Sequence, residues 1–597
     1  MNISLLQNLP KTSKIALIGL GAENLQFLTW LIKTVKINPD QIVIADQKLP
    51  NLENQEILKE LKIPEINKVF GDNYLGILAS SVDEDPNLIK NPQAKNSEIS
   101  KNLEIKYVFK SPGIWSLKPE FVSFRSLNGQ DSVLSPLVFF LAKFRDQIIG
   151  VTGTKGKTTT SSLITHLLTK KGFSVNYCGN TTGISPYNFW TDLESIVDEN
   201  VYFVVELSSF QLQDLGFSKI SPKVAVITNY FVDHLDQHGN KEEYWQSKNQ
   251  LFLHQLSGDF LVANDQISPL IPSKIVNNST QILVNSEMVQ AINSQISHEL
   301  IGEHNQINLS LAVLTVQIIT KIVAKVNQKP NTIENENAPE TNFLLNDFTD
   351  LIEDLAYYSI LLRDFQNVQH RLELVKTKNF KTVKELENNE LTVKFWDDGA
   401  ATEPDAVIAC VKSLTENNQK LWLWLTGVDK GGNLDELAEI LLTKITKNEV
   451  WKITLCGQVG QNLWQKILEI QQNQSGNQTE NQTEKFGKLE KSQKENLESW
   501  KNDWKNRIIL AKSFRECLNS LNFVMEIASF ENFYNGNLEM ESSVNLVENL
   551  TKNLENSNLA NQKMVLNIAL SPVGSSFDEF SNYKERSQFW LNWIAKI

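Results

Sequence analysis

The stretch GVTGTKGKTTTSS, Gly150 to Ser162, decides how the rest of the chain is read. An apolar run, QIIGVTG, leads into Gly153 and Gly156, a lysine and a row of hydroxyls, then into the apolar segment SSLITHLL. Glycines let backbone N–H groups approach phosphate oxygens, and the N-terminus of a following helix adds the positive end of its dipole. Lys157 supplies a point charge, and the hydroxyl of Thr158 is of the kind that binds Mg²⁺. The implied ligand is ATP-like, cradled by Gly153, Thr154, Lys155, Gly156, Lys157, Thr158 and Thr159. The spacing is unusual: Gly153 lies three residues before Gly156, where the common phosphate loop would have its glycine at Val151. A plain structural turn is the competing reading, and it gives no reason for GK followed by hydroxyls.

The same rhythm recurs along the chain. KIALIG, QIVIAD, YFVVEL, VAVITN and DFLVAN are apolar runs that end in Gly, Asp, Glu or Asn before helix-like segments, and LTVKFWDDG, LWLWLTG and WKITLCG repeat it after residue 390. This is the pattern of βα units around parallel sheets, whose strand ends meet ligands. The expected fold class is α/β in three domains: a Rossmann-like domain at 1–135, a central P-loop ATPase-like parallel sheet at 136–368, and a Rossmann-like domain at 369–597. Asn327 to Asn346 and Gln471 to Lys505, rich in polar residues, read as surface inserts.

Composition narrows the function. A chain of 597 residues, 41% hydrophobic, buries more than one core. Its net charge of −13 disfavours nucleic-acid binding, which needs a basic face. Four dispersed cysteines suit a reducing compartment and match no metal spacing. The N-terminus has no long apolar core, and the run around Val133 to Phe140 is too short to span a bilayer, so the expectation is a cytoplasmic protein without membrane contact.

Other residues gain meaning from position. Glu206 ends the strand YFVV and, if the sheet is parallel, lies beside the phosphate loop as a Mg²⁺ ligand; capping the next helix is the alternative. In VAVITNYFVDHLDQH, Asp233 and His234 follow a buried strand and fit either a metal site or a capped helix start. Lys248, in the helical EEYWQSKNQLF, reads by residue chemistry alone as a solvated lysine.

Taken in order over nearly the whole chain, these segments resemble the Mur ligase family, MurD type. The loop resembles that family's TGxxGK[ST][ST], VVELSSFQL its signature, GEHNQIN its GxHNxxN, and SPVGSSFDEFSNYKERSQFW its SPxxxSxDxFxxFxxRG block. The resemblance implies ATP and Mg²⁺ as cofactors, with Lys157, Glu206, His234 and Lys248 as catalytic residues and Thr158, Glu206, His234 and a CO₂-modified Lys248 around metal. It implies Asn305, Arg371 and Asp398 at the nucleotide. It implies Asp46 and Gly113, with Asn180, Ser208 and Gln211, at UDP-N-acetylmuramoyl-L-alanine. Lys430, Ser576 and Tyr583 are implied at D-glutamate, in a chain expected to act as a monomer. The reaction implied is amide formation through an acyl phosphate.

The chain departs from the pattern in several places, with Tyr583 for a phenylalanine a mild one. The family's Asp-Ser-Lys-Ala-Thr-Asn becomes Asp398, Gly399, Ala400, Ala401, Thr402, Glu403, so a lysine is missing, with Lys430 a candidate substitute. Glu23 stands where a small polar residue is common, and a carboxylate beside a diphosphate is unfavourable. Rival readings are another amide ligase of the folylpolyglutamate or Mur kind, an NAD oxidoreductase built on GLGAEN, or a nucleotide-binding homologue with impaired catalysis.

Overall fold

The computed structural model describes residues 6, 9–79, 104–179, 201–231, 238, 240–272, 279–298, 300, 302–328, 355–365, 371–381, 390–416, 419–429, 434–476, 507–521, 564–574, 576 and 579–597. The chain divides into two compact units, residues 1–299 with 304–365, and residues 300–303 with 366–597.

The first unit contains two all-parallel sheets. One comprises β1 (Ser13–Ile18), β2 (Ile42–Asp46), β3 (Lys68–Phe70), β4 (Glu104–Lys110) and β5 (Val133–Leu134), in the order β3-β2-β1-β4-β5. This is the order of a dinucleotide-type sheet, with its ligand crevice where β1 and β4 diverge. The other comprises β6 (Ile148–Thr152), β7 (Ser174–Gly179), β8 (Val201–Glu206), β9 (Val224–Ile227), β10 (Phe260–Asn264) and β11 (Thr280–Val284), in the order β11-β10-β9-β6-β8-β7. β6, β8, β9 and β10 are buried along their whole length, as parallel strands covered on both faces must be. An aromatic chain through Phe27, Phe109 and Phe139, and another through Phe140, Phe144 and Phe203, run through the core that joins the two sheets.

The second unit has one sheet of six strands: β12 (Glu373–Lys381), β13 (Glu390–Asp397), β14 (Lys420–Leu425), β15 (Val450–Cys456), β16 (Ile508–Ala511) and β17 (Met564–Leu570). Its order is β12-β13-β17-β14-β15-β16, and only the edge strand β12 pairs antiparallel. The architecture is therefore α/β with parallel sheets, as the strand rhythm predicts. β17 was not among the runs that carried that rhythm, although it sits at the centre of its sheet.

The four cysteines are free, three of them buried. A helix at Glu303–Gln328 includes a stretch, Glu303–Val323, long and apolar enough by composition to cross a membrane, which the sequence reading did not single out. Two thirds of it is buried within the protein, as in the core helix of a globular unit.

Candidate active site

β6 ends in the glycine loop, and the helix α1 (Lys157–Lys170) starts directly behind it with Gly156 as its N-cap. Both glycines are required by space as well as by conformation. Gly153 has φ +150°, and a Cβ there would lie 1.9 Å from Thr228 Oγ1; Gly156 has φ +79°, and its Cβ would lie 2.4 Å from Asn308 Oδ1. The loop is pinned to the turn after β9. Lys155 N donates to Asn229 Oδ1 at 2.9 Å, Asn229 Nδ2 donates back to Lys155 O at 3.0 Å, and Thr154 Oγ1 donates to Phe231 O at 3.0 Å. Thr158 and Thr159 are buried in the first turn of α1.

Two ammonium groups converge on one loop carbonyl. Lys157 Nζ donates to Gly153 O and Thr154 O, both at 3.0 Å, and Lys248 Nζ donates to Gly153 O at 2.9 Å. Lys248 is 2% exposed and its Nζ lies 4.5 Å from the ring centre of Tyr244, so the solvated-lysine reading fails.

Glu206 is buried at the end of β8, paired in register with Val151 of β6, and its Oε2 accepts from Tyr177 OH at 3.1 Å. It does not cap the next helix. That helix, α2 (Ser209–Ser218), is capped by Ser208, which forms a capping box with Gln211: Gln211 N donates to Ser208 Oγ at 3.3 Å, and Ser208 N donates to Gln211 Oε1 at 3.0 Å. Ser208 and Gln211, expected at the substrate, thus have a local role that explains their spacing.

His238 was missed. Its ring stacks on Phe210, its Nε2 lies 2.9 Å from Ser209 Oγ, and its Nδ1 lies 3.4 Å from Ser247 Oγ, so it links α2 to the Lys248 helix, α3 (Lys241–Asn249). The signal was a second histidine four positions after His234 in DHLDQH. From the Glu303–Gln328 helix, Asn308 accepts from Thr160 Oγ1 at 3.2 Å and donates to Asn305 Oδ1 at 3.2 Å, which places Asn305 one residue removed from the loop.

On the first sheet, Asp46 Oδ2 accepts from Leu20 N at 2.6 Å and its Oδ1 from Lys48 N at 3.0 Å, so the carboxylate braces the GLG turn. Gly113 follows β4 in an exposed turn whose Ser111 N donates to Ile18 O at 2.7 Å. Asn24 Nδ2 donates to Ile18 O and Gly19 O from inside the turn. Burial, then the charge of Asp214, push the Glu23 carboxyl up to about 7, against hydrogen bonds from the Leu137 backbone and Gln211. Glu23 is half-buried with its Oε1 shielded from solvent, which eases the conflict with an anionic ligand.

In the second unit, Asp398 follows β13; its Oδ1 accepts from Leu372 N at 3.0 Å and its Oδ2 from Ser571 Oγ at 2.7 Å. Burial pushes its carboxyl up to about 7, opposed by those bonds and by the nearby Arg371. Asp397 Oδ1 accepts from Gly399 N at 3.0 Å and Ser587 Oγ at 3.1 Å. Arg586 donates to Gly399 O and Gly574 O, both at 3.2 Å, and a Cβ on Gly574 would lie 2.4 Å from Val428 O. The turns after β13, β17 and β14 therefore meet. Ser576 is buried among them, and Tyr583 opens the helix Tyr583–Lys596. Asn180, His234 and Lys430 lie outside the described residues.

The phosphate loop fits a nucleoside triphosphate: two glycines that admit no side chain, backbone N–H groups at a helix start, and two lysines in reach. Thr158, Glu206 and Lys248 lie around it as oxygen or nitrogen donors, although among the described residues no three His, Cys, Asp or Glu side chains cluster as metal ligands.

Residues 151–288 match the family model of the Mur ligase middle domain. The chain is 27% identical over 438 residues to UDP-N-acetylmuramoylalanine--D-glutamate ligase of Clostridium kluyveri, covering 73% of this chain and 80% of the relative. It is 27% identical over 447 residues to the ligase of the same name from Ruminiclostridium cellulolyticum, covering 73% and 79%. Among solved structures, UDP-N-acetylmuramate-alanine ligase MurC of Thermotoga maritima matches with a TM-score of 0.41 at 13% identity, covering 98% of this chain and 100% of that one.

Proposed function

We propose that this chain, whose residues 151–288 match the Mur ligase middle domain and which is 27% identical to UDP-N-acetylmuramoylalanine--D-glutamate ligases over 73% of its length, is an ATP-dependent ligase of peptidoglycan-precursor synthesis that joins D-glutamate to UDP-N-acetylmuramoyl-L-alanine. The observation that carries the reading is the arrival of buried Lys248, from a separate helix, on the carbonyl of Gly153 within the phosphate loop. A plain turn gives no reason to bring a buried lysine against it from another helix, whereas a phosphate site with a metal does: Lys157 keeps its ammonium for phosphate, and Lys248 as a carbamate would become an oxygen ligand of the ion beside it.

In this reading the substrate carboxylate attacks the γ-phosphate of ATP, which leaves an acyl phosphate and ADP. The amine of D-glutamate then adds to the acyl carbon, and the tetrahedral intermediate expels phosphate to leave the amide. Lys157 and the loop N–H groups hold the β- and γ-phosphates and stabilise the charge that spreads onto them in the transfer. Thr158, Glu206, His234 and Lys248 would hold Mg²⁺, the last as a carbamate, and the ion supplies Lewis-acid neutralisation of phosphate charge. Asn305, Arg371 and Asp398 are assigned to the nucleotide on the family resemblance. Asp46, Gly113, Asn180, Ser208 and Gln211 hold the UDP-sugar, and Lys430, Ser576 and Tyr583 orient D-glutamate. Catalysis is chiefly positioning and electrostatics, with no nucleophilic side chain. The chain is proposed to work as a cytoplasmic monomer.

The test is phosphate release from ATP with UDP-N-acetylmuramoyl-L-alanine, comparing D-glutamate with L-alanine and meso-diaminopimelate. Release that depends on D-glutamate is expected. Preference for another acceptor would move the chain to a different ligase, and silence with every acceptor would leave only nucleotide binding.

A further inference from the structure

Helix α2 begins just after Glu206 and turns one side toward the first sheet, with Gln211, Asp214 and Phe217 at successive i, i+3 positions. Asp214 Oδ2 lies 2.9 Å from Lys110 Nζ, and both side chains are fully buried. The other oxygen, Oδ1, accepts a short hydrogen bond from Ser116 Oγ. Arg125 donates to Ser116 O at 2.7 Å and Val133 O at 3.3 Å, and its guanidinium lies 3.9 Å over the ring of Phe217. Lys110 is the last residue of β4 and Ser116 lies shortly beyond Gly113, so the Ser111–Gly113 turn is tied at both ends to one carboxylate. Glu23 faces the same carboxylate, and its Oε1 has no hydrogen-bond partner among the described residues.

A fully buried ion pair adds little net stability, because desolvation of both charges offsets their attraction. Its specific effect is geometric. Neither charge can move without stranding the other in an apolar setting, so the pair fixes a register between the elements that carry it.

We propose that Lys110 and Asp214 are positioning residues that lock the Ser111–Gly113 turn onto the helix following Glu206, and so set where the UDP-sugar lies relative to the phosphate loop. This rests on the ligase reading above. The pair makes no contact with substrate itself; it acts through the turn on one side and α2 on the other.

The experiment replaces the pair with an apolar one, K110M with D214L, because removing one partner alone strands a buried charge and risks unfolding. Binding of UDP-N-acetylmuramoyl-L-alanine and of ADP is measured by calorimetry, alongside Tm and the KM and kcat of phosphate release. The double variant is expected to keep its Tm and its ADP affinity, to bind the UDP-sugar about tenfold more weakly and to show the loss in KM for that substrate. Equal UDP-sugar affinity in the two folded proteins overturns the positioning role. Loss of ADP affinity together with Tm also overturns it, since the pair would then act as general scaffolding. A parent chain that does not bind the UDP-sugar fails the ligase reading and the inference with it, an outcome distinct from a parent that binds and a variant that matches it.

Discussion

Two strand-end turns invite comparison, the one after β6 and the one after β13. The first is crowded with cations: Lys155 and Lys157 are part of it and Lys248 reaches it from α3. The second has none of its own, running Gly399, Ala400, Ala401, and is held instead by two buried aspartates that accept hydrogen bonds from Gly399, Leu372, Ser571 and Ser587. Both turns are braced by hydrogen bonds, yet the first carries lysines within its own loop, while the second draws its cations from elsewhere, with Arg586 on Gly399 O and Arg371 near Asp398. The difference says that rigid placement of a loop and its electrostatic purpose are separate properties, read from different residues.

The largest expected effect comes from stripping charge from the first turn. Lys157→Ala is expected to lower kcat for phosphate release by about 10²–10³-fold, the range for loss of one electrostatic donor, with Tm nearly unchanged. A folded variant that keeps most of its rate would dissolve the contrast, since cations there would then be ornament.

An intermediate effect tests the aspartates of the second turn. Burial raises the Asp398 carboxyl from its ordinary 3.8 to about 7. The folded chain then binds a proton over that window that the unfolded chain has released, so this group's contribution to stability falls as pH rises through it and levels off above it. Asp398→Asn cannot titrate. Parent and variant are therefore expected to diverge in denaturant unfolding, the parent losing ground between about pH 4 and pH 7 by up to about 4 kcal/mol if the whole shift is expressed. A difference independent of pH would mean the carboxyl is ionised throughout.

The smallest effect concerns the missing lysine. If the cations of the first turn carry the phosphate charge, Ala400→Lys changes kcat by no more than about threefold, since a new exposed charge contributes little. A rise of an order of magnitude in D-glutamate-dependent phosphate release would show instead that the second turn is a true deficit.

Much of this was open to reading in the sequence because it is local. A strand, two glycines, a lysine and hydroxyls are contiguous, and the carboxylate of Glu206 follows from strand parity once the sheet is parallel. What escaped was non-local. Lys110 and Asp214 are far apart in sequence and neither sits in a motif, so only the packed fold brings them together. A role for Lys248 at the site was implied by family resemblance and not by its own helix, whose first turn is acidic and whose outer residues are exposed; its contact with Gly153 comes only from the fold. β17 hid behind Asn567, a polar residue in an apolar run. It is tolerated there because its amide donates to Leu414 O and Gln419 Oε1 while its oxygen accepts from Trp396 Nε1.

The position of β17 also governs the timing of assembly. β13 and β14 are neighbours in sequence but do not pair; both wait for β17, which the ribosome delivers long after them. Without it the remaining strands can pair only as two groups, β12-β13 and β14-β15-β16, each with an open edge of the kind that invites wrong pairing. The strand that closes the sheet leads directly into Ser571 and Ser576, so the proposed acceptor pocket is completed in the same event as the fold that carries it.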